Sequence, residues 1–426
     1  MNIKFRLTVL NFLEFAVWGA YLTSMGNYLA SHGLATHIGW FYSVQGFVSL
    51  CMPALFGIIA DRWIQAQRLL SLSHIMAGLF MLAACAYGYS TGDTVQFGFL
   101  FTLYALSVTF FMPTIALTNS VAYNALDEAG LDTVKDFPPI RVWGTIGFII
   151  SMWIVDLGGL QSTPGQFGWS GILSLIMGVY ALTMPKCPTA ASGATKSLAE
   201  ALGLNAFKLF KNYRMALFFI FSMLLGVCLQ ITNGFANPFI TSFGNIPEFA
   251  NTFGVQHANI LISLSQVSET VCILLIPFFL MKLGIKRVML ISMLAWVLRF
   301  GFFAMGNPGN GVWLFVLSMI VYGVAFDFFN ISGSLFVDKE TSVDIRNSAQ
   351  GLFMMSTNGF GATVGTLSAQ QVINHYVNNL GENADPMTVW AGWETCWYIF
   401  AAYALVIAFL FAILFRYKHQ PESVKA

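Results

Sequence analysis

Long apolar segments alternate with short polar ones along almost the whole chain. A helix needs about 20 apolar residues to cross the ~30 Å hydrocarbon core of a bilayer at about 1.5 Å per residue. Twelve segments meet this length, so the pattern predicts twelve membrane-spanning helices. They are expected at residues 5–30, 38–60, 69–90, 97–123, 139–158, 168–185, 214–243, 257–281, 287–306, 312–337, 347–374 and 392–415.

Lysine and arginine are concentrated in alternate connections between these spans. Neither residue occurs in the connections near residues 31–37, 91–96, 159–167, 244–256, 307–311 and 375–391. The connections on the opposite side contain most of the chain's basic residues, and such loops usually stay in the cytoplasm. We therefore expect a multi-pass membrane protein with both termini in the cytoplasm.

One polar connection, residues 185–213, is much longer than the others and divides the chain into two sets of six spans. The end of the second span, residues 52–63, has a counterpart at the end of the eighth, residues 276–287. Each has a proline in the last turns of the helix and a short basic hairpin after it. Parallel repeats of six spans occur in membrane transporters. We predict an all-α polytopic membrane protein of twelve transmembrane helices in two pseudo-repeats, with six-helix bundles at 1–185 and 214–426 and a cytoplasmic linker at 186–213.

The composition excludes an ordinary soluble protein. Hydrophobic residues make up 57% of the chain and charged residues 9%, with a mean hydropathy of +0.70, whereas soluble domains are about 25% charged. The net charge of +1 is spread along the chain, so nucleic acid is not an expected partner. The six cysteines and six histidines are scattered without metal-ligand spacing. We interpret the cysteines as reduced core residues and expect no metal and no cofactor.

The tenth span contains an acid and an amide in the segment Gly323-Val-Ala-Phe-Asp-Phe-Phe-Asn-Ile-Ser-Gly333. Asp327 would lie near the middle of the membrane, where an ionised carboxylate costs at least ~2.5 kcal/mol, so such residues usually face a polar cavity. Asn330 is one turn further along on the same face. The rings of Phe326 and Phe329 flank this polar stripe and are suited to stacking on a flat ligand.

Three other spans carry polar side chains at helical spacing. On the fifth span Arg141, Thr145 and Phe148 share one face. Arg141 follows two prolines closely, so it either faces a cavity or extends to the cytoplasmic surface. Gln230 and Asn233 on the seventh span are amides that suit a nucleobase edge or sugar hydroxyls, or that hold neighbouring helices together.

The eighth span presents Gln266 and Glu269 at the same spacing, again at mid-membrane depth. Glu269 is a candidate for the site, and the alternative is an ion pair with Arg299 or Arg141. The sequence leaves open whether a third intramembrane acid, Glu14 of the first span, lines the cavity. For Arg299 of the ninth span we favour a structural role.

Several stretches resemble a known transporter family. Gly57-Ile-Ile-Ala-Asp61-Arg62 resembles the G-x-x-x-D-R/K signature of the major facilitator superfamily, although the usual G-R-R/K continuation is replaced by Trp63-Ile-Gln-Ala-Gln-Arg68. Longer stretches resemble the bacterial nucleoside:proton symporter family of that superfamily, and the resemblance covers nearly the whole chain. These stretches are Asp136-Phe-Pro-Pro-Ile-Arg141-Val-Trp-Gly-Thr-Ile-Gly-Phe148, Leu229-Gln-Ile-Thr-Asn233, Ile262-Ser-Leu-Ser-Gln-Val-Ser-Glu269 and Ala325-Phe-Asp-Phe-Phe-Asn-Ile-Ser-Gly333.

The resemblance implies the major facilitator fold and proton-driven uptake of nucleosides across the bacterial cytoplasmic (inner) membrane. It also implies that Arg141, Thr145 and Phe148 contact the substrate. With the polar positions of the other spans, the predicted substrate site consists of Arg141, Thr145, Phe148, Gln230, Asn233, Gln266, Glu269, Phe326, Asp327 and Asn330.

We expect the two bundles to rock against each other around this site, with Asp327 and Glu269 as the acids that couple transport to protons. The expected partners are the nucleoside, protons and the lipid bilayer, and we expect a monomer. A proton-coupled transporter of sugars or glycosides is the alternative, because it also needs amides, acids and stacking aromatic rings. An enzyme is not expected, since the spans contain no motif of hydrolytic or metal-dependent catalysis.

Overall fold

The computed structural model describes residues 2–92, 94–189, 204–342, 345–381 and 383–417, and this part of the chain is helical with no strand. The N-terminal helices are α1 Ile3–Gly19, α2 Met25–Ser31, α3 Ile38–Arg62, α4 Ala66–Thr91, α5 Phe97–Glu128, α6 Thr133–Leu157 and α7 Gly165–Ala181. The C-terminal helices are α8 Tyr213–Ser242, α9 Ala258–Leu283, α10 Ile285–Met305, α11 Val312–Glu340, α12 Arg346–Met354, α13 Ala362–Tyr376 and α14 Pro386–Leu414. A π-helical turn, Met355–Gly361, joins α12 to α13, and shorter helical segments are Ala35–His37, Leu204–Lys211, Phe243–Asn245, Phe253–Gln256 and Asn378–Leu380.

Nine helical segments in the described part of the chain are long and apolar enough to span a membrane. They correspond to predicted spans two to five, seven to ten and twelve. The other three predicted spans are helical as well. The sixth is the 17-residue α7, the first consists of α1 and α2, and the eleventh consists of α12, the π turn and α13. The chain is therefore an all-α membrane protein with twelve spans, of which two are interrupted.

The first span is interrupted at residues 20–24, where the sequence predicts a continuous helix. Neighbouring helices supply hydrogen-bond partners at this break. The Tyr42 hydroxyl of α3 donates to the Leu22 carbonyl oxygen at 2.5 Å, and Ser24 Oγ donates to Gln166 Oε1 of α7 at 2.9 Å. Inside a membrane an irregular turn is tolerated only where protein groups satisfy it, and the local apolar pattern does not show such tertiary partners.

The eleventh span is predicted as one helix over residues 347–374, but its middle is the π turn. This turn contains two glycines and the polar residues Ser356, Thr357 and Asn358. A π turn accommodates an extra residue in a helix and changes the direction of the side chains around it. Such turns are frequent at functional sites.

The fifth span begins earlier than predicted. The sequence predicts a start near residue 139, after two prolines, whereas α6 begins at Thr133 and contains both prolines. The Asp136 main-chain N–H donates to the Asp132 carbonyl oxygen at 2.7 Å, and Lys4 of α1 pairs with the Asp136 carboxylate at 2.8 Å. This tertiary ion pair supports the first turns, so Arg141 lies well inside the helix.

The described helices form two compact units, Met1–Leu202 and Gly203–Ala426. Within each unit the spans pack in the same combinations: first with fifth, second with fourth, third with fourth, and third with sixth. In the N-terminal unit these are α1 with α6, α3 with α5, α4 with α5 and α4 with α7. In the C-terminal unit they are α8 with the π turn and α13, α9 with α11, α10 with α11 and α10 with α14. The shared pairing shows that the two units are repeats of one architecture.

Glycines allow the closest approach between the first and fifth spans of each unit. In the N-terminal unit a Cβ at Gly19 would collide with the main chain at Phe148. In the C-terminal unit a Cβ at Gly365 would lie 2.5 Å from Val227 Cα. Small residues at such positions let membrane helices pack main chain to main chain, where no hydrophobic driving force acts between them. The two units therefore also share glycine-mediated packing between these spans.

Two sequence predictions fall on parts of the chain that the structure describes incompletely. The side chains of Asp61 and Arg62, which carry the signature motif after the second span, lie outside the described part of the structure. Residues 190–203 of the predicted linker 186–213 also lie outside it.

Candidate functional site

Asp327 lies about halfway along the 29-residue helix α11. Gly323 lets α11 approach α9, since a Cβ at this position would lie 2.6 Å from the Ser268 carbonyl oxygen. Ser268 of α9 and Ser292 of α10 donate hydrogen bonds to main-chain carbonyl oxygens of α11. These contacts fix the rotation of α11 and so the direction of the Asp327 side chain.

The Asp327 carboxyl group is buried beside a second acid. The residue is 4% exposed, and its Oδ2 atom has no hydrogen-bond partner among the described residues. Glu269 of α9 is half-buried and close enough for its charge to interact with that of Asp327. Tyr322, one turn before Asp327, lies within the field of both acids. Two neighbouring carboxyl groups in such surroundings are suited to binding and releasing a proton.

The predicted amides lie on the helices around this pair. Gln266 is one turn before Glu269, and its Oε1 atom is buried without a hydrogen-bond partner in the described part of the protein. On α8 the Asn233 side-chain amide donates to Gln230 Oε1 at 3.0 Å. That bond uses one donor and one acceptor, so the two amides keep further donors and acceptors for a ligand.

A cavity inside the C-terminal unit lies beside Phe326 and Asn330. Its volume is about 20 Å³, which is room for roughly one water molecule. The Phe326 ring stacks on Tyr322 with centroids 5.7 Å apart and planes within 5° of parallel. Aromatic ring faces and amides are the kinds of group that bind a flat solute with polar edges. Its lining residues are Leu225, Gly226, Leu229, Trp296, Ala325, Phe326, Phe329, Asn330, Thr357 and Asn358.

Arg299 is buried near the same aromatic rings. Its Nη1 atom donates to the Ser318 carbonyl oxygen at 2.7 Å, and its guanidinium lies 4.6 Å from the Tyr322 ring centroid. These contacts tie α10 to α11 and place the guanidinium against the Tyr322 ring. Arg299 thus contributes to the packing behind the cavity.

The other predicted site residues are on α6 in the N-terminal unit. The Arg141 guanidinium lies over the Phe15 ring of α1, 3.9 Å from its centroid. The Arg141 side chain is thus directed towards α1. Phe148 is buried and meets the Trp18 ring of α1 edge-on at 6.2 Å. Thr145, between them on α6, is half-buried.

The ten predicted site residues thus fall into two groups, one in each unit. Arg141, Thr145 and Phe148 follow one another along α6. In the C-terminal unit the contacts are pairwise: Glu269 with Asp327, and Gln230 with Asn233, while Phe326 and Asn330 line the cavity. Glu14 is buried in the N-terminal unit, and its carboxylate is hydrogen-bonded there. It belongs to neither group.

Comparison with known proteins decides the family. The family model described as "Nucleoside H+ symporter" matches residues 1–420. The chain belongs to the nucleoside:proton symporter family. Among curated proteins, this family member is 48% identical over 430 residues to the xanthosine permease of Escherichia coli (strain K12), covering 100% of this chain and 99% of the permease. It is also 48% identical to the nucleoside permease NupG of the same organism, covering 98% of this chain and 97% of NupG.

Solved structures agree with this assignment. This chain matches the crystal structure of the nucleoside transporter NupG with a TM-score of 0.88 and 47% identity. The match covers 98% of this chain and 100% of NupG. A D-xylose-proton symporter matches with a TM-score of 0.70 but 12% identity, over 97% of this chain and 98% of that one, which shows a shared fold. The predicted family and the major facilitator fold are confirmed.

The sequence did not single out Tyr322, which stacks on Phe326, or three residues that line the cavity, namely Trp296, Thr357 and Asn358. One signal was available for the last two. Ser-Thr-Asn-Gly-Phe-Gly at residues 356–361 is a polar and glycine-rich run inside an apolar span. Such a run indicates irregular backbone that must line a cavity or be buried in protein. Tyr322 and Trp296 have no comparable signal, because aromatic residues are frequent in every span.

Proposed function

We propose that this protein is a proton-coupled secondary transporter that imports nucleosides across the cytoplasmic membrane by alternating access. The observation that carries the proposal is the buried pair Asp327 and Glu269 beside a cavity with an aromatic face, in a chain that belongs to the nucleoside:proton symporter family. Relatives at 48% identity are named as a xanthosine permease and a nucleoside permease, which supports nucleosides as the substrate class.

We assign nucleoside contacts to polar and aromatic groups of both units. In the C-terminal unit the Phe326 ring offers a stacking face for the base, and the amides of Asn330, Gln230, Asn233 and Gln266 offer donors and acceptors for base edges and ribose hydroxyls. In the N-terminal unit we assign contacts to Arg141, Thr145 and Phe148. We further propose that residues 1–185 and 214–426 move as the two bodies of the transport cycle, joined by a cytoplasmic linker.

We assign proton coupling to Asp327 and Glu269. Their carboxyl groups lie close enough for their charges to interact, and neighbouring acids of this kind are suited to binding and releasing a proton. A nucleoside that hydrogen-bonds one protonation state better than the other shifts the proton equilibrium, and the proton shifts nucleoside affinity by the same factor. That reciprocity couples uptake to the proton gradient.

The test is uptake of a nucleoside panel into proteoliposomes with and without an imposed pH gradient, for the wild type and Asp327→Asn. The wild type is expected to accumulate nucleosides above the external concentration only with the gradient. Asp327→Asn preserves shape but cannot ionise, so it is expected to lose accumulation and to keep exchange of labelled for unlabelled nucleoside.

Asp338→Asn is the matched control, because Asp338 is on the same helix but is 48% exposed and pairs with Arg346. It is expected to accumulate nucleosides like the wild type. Full gradient-driven accumulation by Asp327→Asn would remove Asp327 from the coupling role. A wild type that takes up no nucleoside under any gradient would overturn the function itself.

Sugars remain the alternative substrate class, with support from the fold only. Competition separates the two classes: excess unlabelled nucleosides are expected to suppress uptake of labelled uridine, whereas free sugars are expected to leave it unchanged. We also propose that both termini are cytoplasmic and that the transporter functions as a monomer without a nucleic-acid partner.

A further inference from the structure

The Arg299 guanidinium is a charged group buried within the C-terminal unit. The residue is 2% exposed, and none of the ion pairs among the described residues includes it. A charged side chain inside a membrane protein is costly to bury, and such residues usually have a function. The contacts of Arg299 indicate what that function is.

The hydrogen bonds of Arg299 connect three helices. Its Nη1 atom donates to the Ser318 carbonyl oxygen of α11 at 2.7 Å and to Ser265 Oγ of α9 at 3.4 Å. In the reverse direction, the Ser318 hydroxyl donates to the Arg299 main-chain carbonyl oxygen at 3.0 Å. These bonds fix the end of the side chain between α9, α10 and α11.

Two aromatic rings lie against the guanidinium fixed in this way. The guanidinium carbon is 4.6 Å from the Tyr322 ring centroid and 5.5 Å from the Phe303 ring centroid. A guanidinium within about 6 Å of a ring centroid is attracted by the ring quadrupole, and the attraction is stronger where water is excluded. Arg299 therefore holds the Tyr322 ring, which is itself buried.

Tyr322 in turn contacts the residue to which we assign base stacking. The Tyr322 and Phe326 rings are one turn apart on α11 and stack with centroids 5.7 Å apart and planes 5° from parallel. Trp296 of α10 meets the Tyr322 ring edge-on at 6.1 Å. Phe326 and Trp296 both line the cavity, so a displacement of the Tyr322 ring would disturb two parts of its wall.

We propose that Arg299 is a positioning residue for nucleoside binding, whose guanidinium holds the Tyr322 ring and thereby sets the plane of the Phe326 ring. This inference rests on the proposed function. Arg299 is not among the described residues that line the cavity, and it acts on the nucleoside only through the two rings. A stacking face that is fixed before the base arrives loses less conformational entropy on binding, so it binds the base more tightly.

Arg299→Met removes the charge and keeps a long apolar side chain. The variant is expected to fold, because it leaves no unpaired charge in the core. The measurement is exchange of labelled uridine in proteoliposomes with equal pH on both sides. The half-saturating uridine concentration is expected to rise roughly tenfold, within the range of a buried cation–π contact, and the maximal rate is expected to stay nearly unchanged.

A double-mutant cycle with Phe326→Leu separates positioning from general support of the fold. Phe326→Leu removes the stacking ring and is expected to raise the half-saturating concentration by roughly tenfold or more on its own. If Arg299 acts through that ring, adding Arg299→Met to Phe326→Leu is expected to raise the concentration little further. If Arg299 only supported the fold, the two increases would multiply.

Phe303→Leu is the matched control. Phe303 contacts the same guanidinium, but its ring stacks on Trp397 at 4.7 Å and is not part of the described cavity lining. The smaller side chain is expected to lower the melting temperature by a few degrees and to leave the half-saturating concentration at the wild-type value. Equal losses of affinity in Phe303→Leu and Arg299→Met would show that any disturbance of this core weakens binding, which would overturn the inference.

Two further results would overturn it: wild-type half-saturation in a folded Arg299→Met protein, or increases that multiply in the cycle. If Arg299→Met does not fold, Arg299→Lys replaces it in the same cycle, because lysine keeps the charge but cannot stack a planar group on the Tyr322 ring.

Melting temperature gives a second readout that needs no substrate. The changes caused by Arg299→Met and Tyr322→Leu are expected to be non-additive in the double variant, since the two side chains contact each other. Additive changes would overturn the inference whether or not the protein transports nucleosides. A wild type that exchanges no nucleoside would instead overturn the proposed function.

Discussion

Gln266 and Asp327 each bury a side-chain oxygen that has no hydrogen-bond partner in the described residues. A buried polar atom left in this way costs about 1–3 kcal/mol. A ligand or proton that supplies the missing partner recovers that free energy, so these two residues favour binding in a way that a fully satisfied pair does not. Gln230 and Asn233, which bond to each other, are organised before the ligand arrives.

At the scale of single residues, substitution of Asn358 tests whether the cavity contacts the substrate. Its amide lines the cavity beside Asn330, so Asn358→Ala is expected to raise the half-saturating nucleoside concentration by roughly five- to tenfold, the effect of about 1 kcal/mol from one hydrogen bond. Ser356→Ala is the control, since the Ser356 hydroxyl donates to the Leu352 carbonyl oxygen at 2.8 Å within the same span. Equal half-saturation in both variants would exclude Asn358 from the substrate contacts.

At the element scale the eleventh span combines two features that a regular helix does not have. The π turn Met355–Gly361 brings Thr357 and Asn358 to the cavity. Glycines on the same span let it pack main chain to main chain against α8. Because α8 is held this closely, the position of the turn is set by packing, and its side chains are pre-organised for a ligand.

Two glycine substitutions on this span are expected to act in opposite directions. Gly365→Ala places a Cβ 2.5 Å from Val227 Cα, and such overpacking costs about 1–3 kcal/mol, so the melting temperature of the purified protein is expected to fall by several degrees. Gly351→Ala meets no atom within 4 Å and gains up to about 1 kcal/mol of helix propensity, so it is expected to keep or raise the melting temperature. A Gly365→Ala protein as stable as the wild type would show that α8 and α13 can separate freely.

At the scale of the whole molecule, the two units share one packing order but differ in chemistry. The N-terminal unit presents a cation and hydroxyls along α6 and the C-terminal unit presents acids and amides. Both units use the same helix packing with short connections, so one architecture accounts for the fold of each. Function arises from the side chains in which the repeats differ.

Topology reporters test the arrangement of the chain in the membrane. Alkaline phosphatase inserted after Gly381, in a connection without Lys or Arg, is expected to be active, since that side faces the periplasm. The same insertion after Gly284, beside Lys286 and Arg287, is expected to be inactive because it stays in the cytoplasm. Activity after Gly284 would reverse the proposed orientation.

Span number and family could be predicted because each depends on local sequence. An apolar run of about 20 residues has few alternatives to a spanning helix, since the bilayer leaves no other way to satisfy the main chain. Asp327 and Glu269 stand out against an apolar background for the same reason. Boundaries were less predictable: α6 begins before its prolines because Lys4 pairs with Asp136, a contact between residues far apart in the chain.

The sequence by itself determined that this protein is a twelve-span transporter of the nucleoside:proton symporter family, and it singled out Glu14, Glu269 and Asp327 as acids inside the spans. Only the tertiary structure decided that the first and eleventh spans are interrupted, that Asn358 lines the cavity, and that Glu14 meets His74. The physical reason is the distance along the chain between the residues that interact. Hydrophobic length acts within one helix, whereas a break, a cavity or a buried hydrogen-bonded pair exists only when groups from several helices meet and satisfy one another.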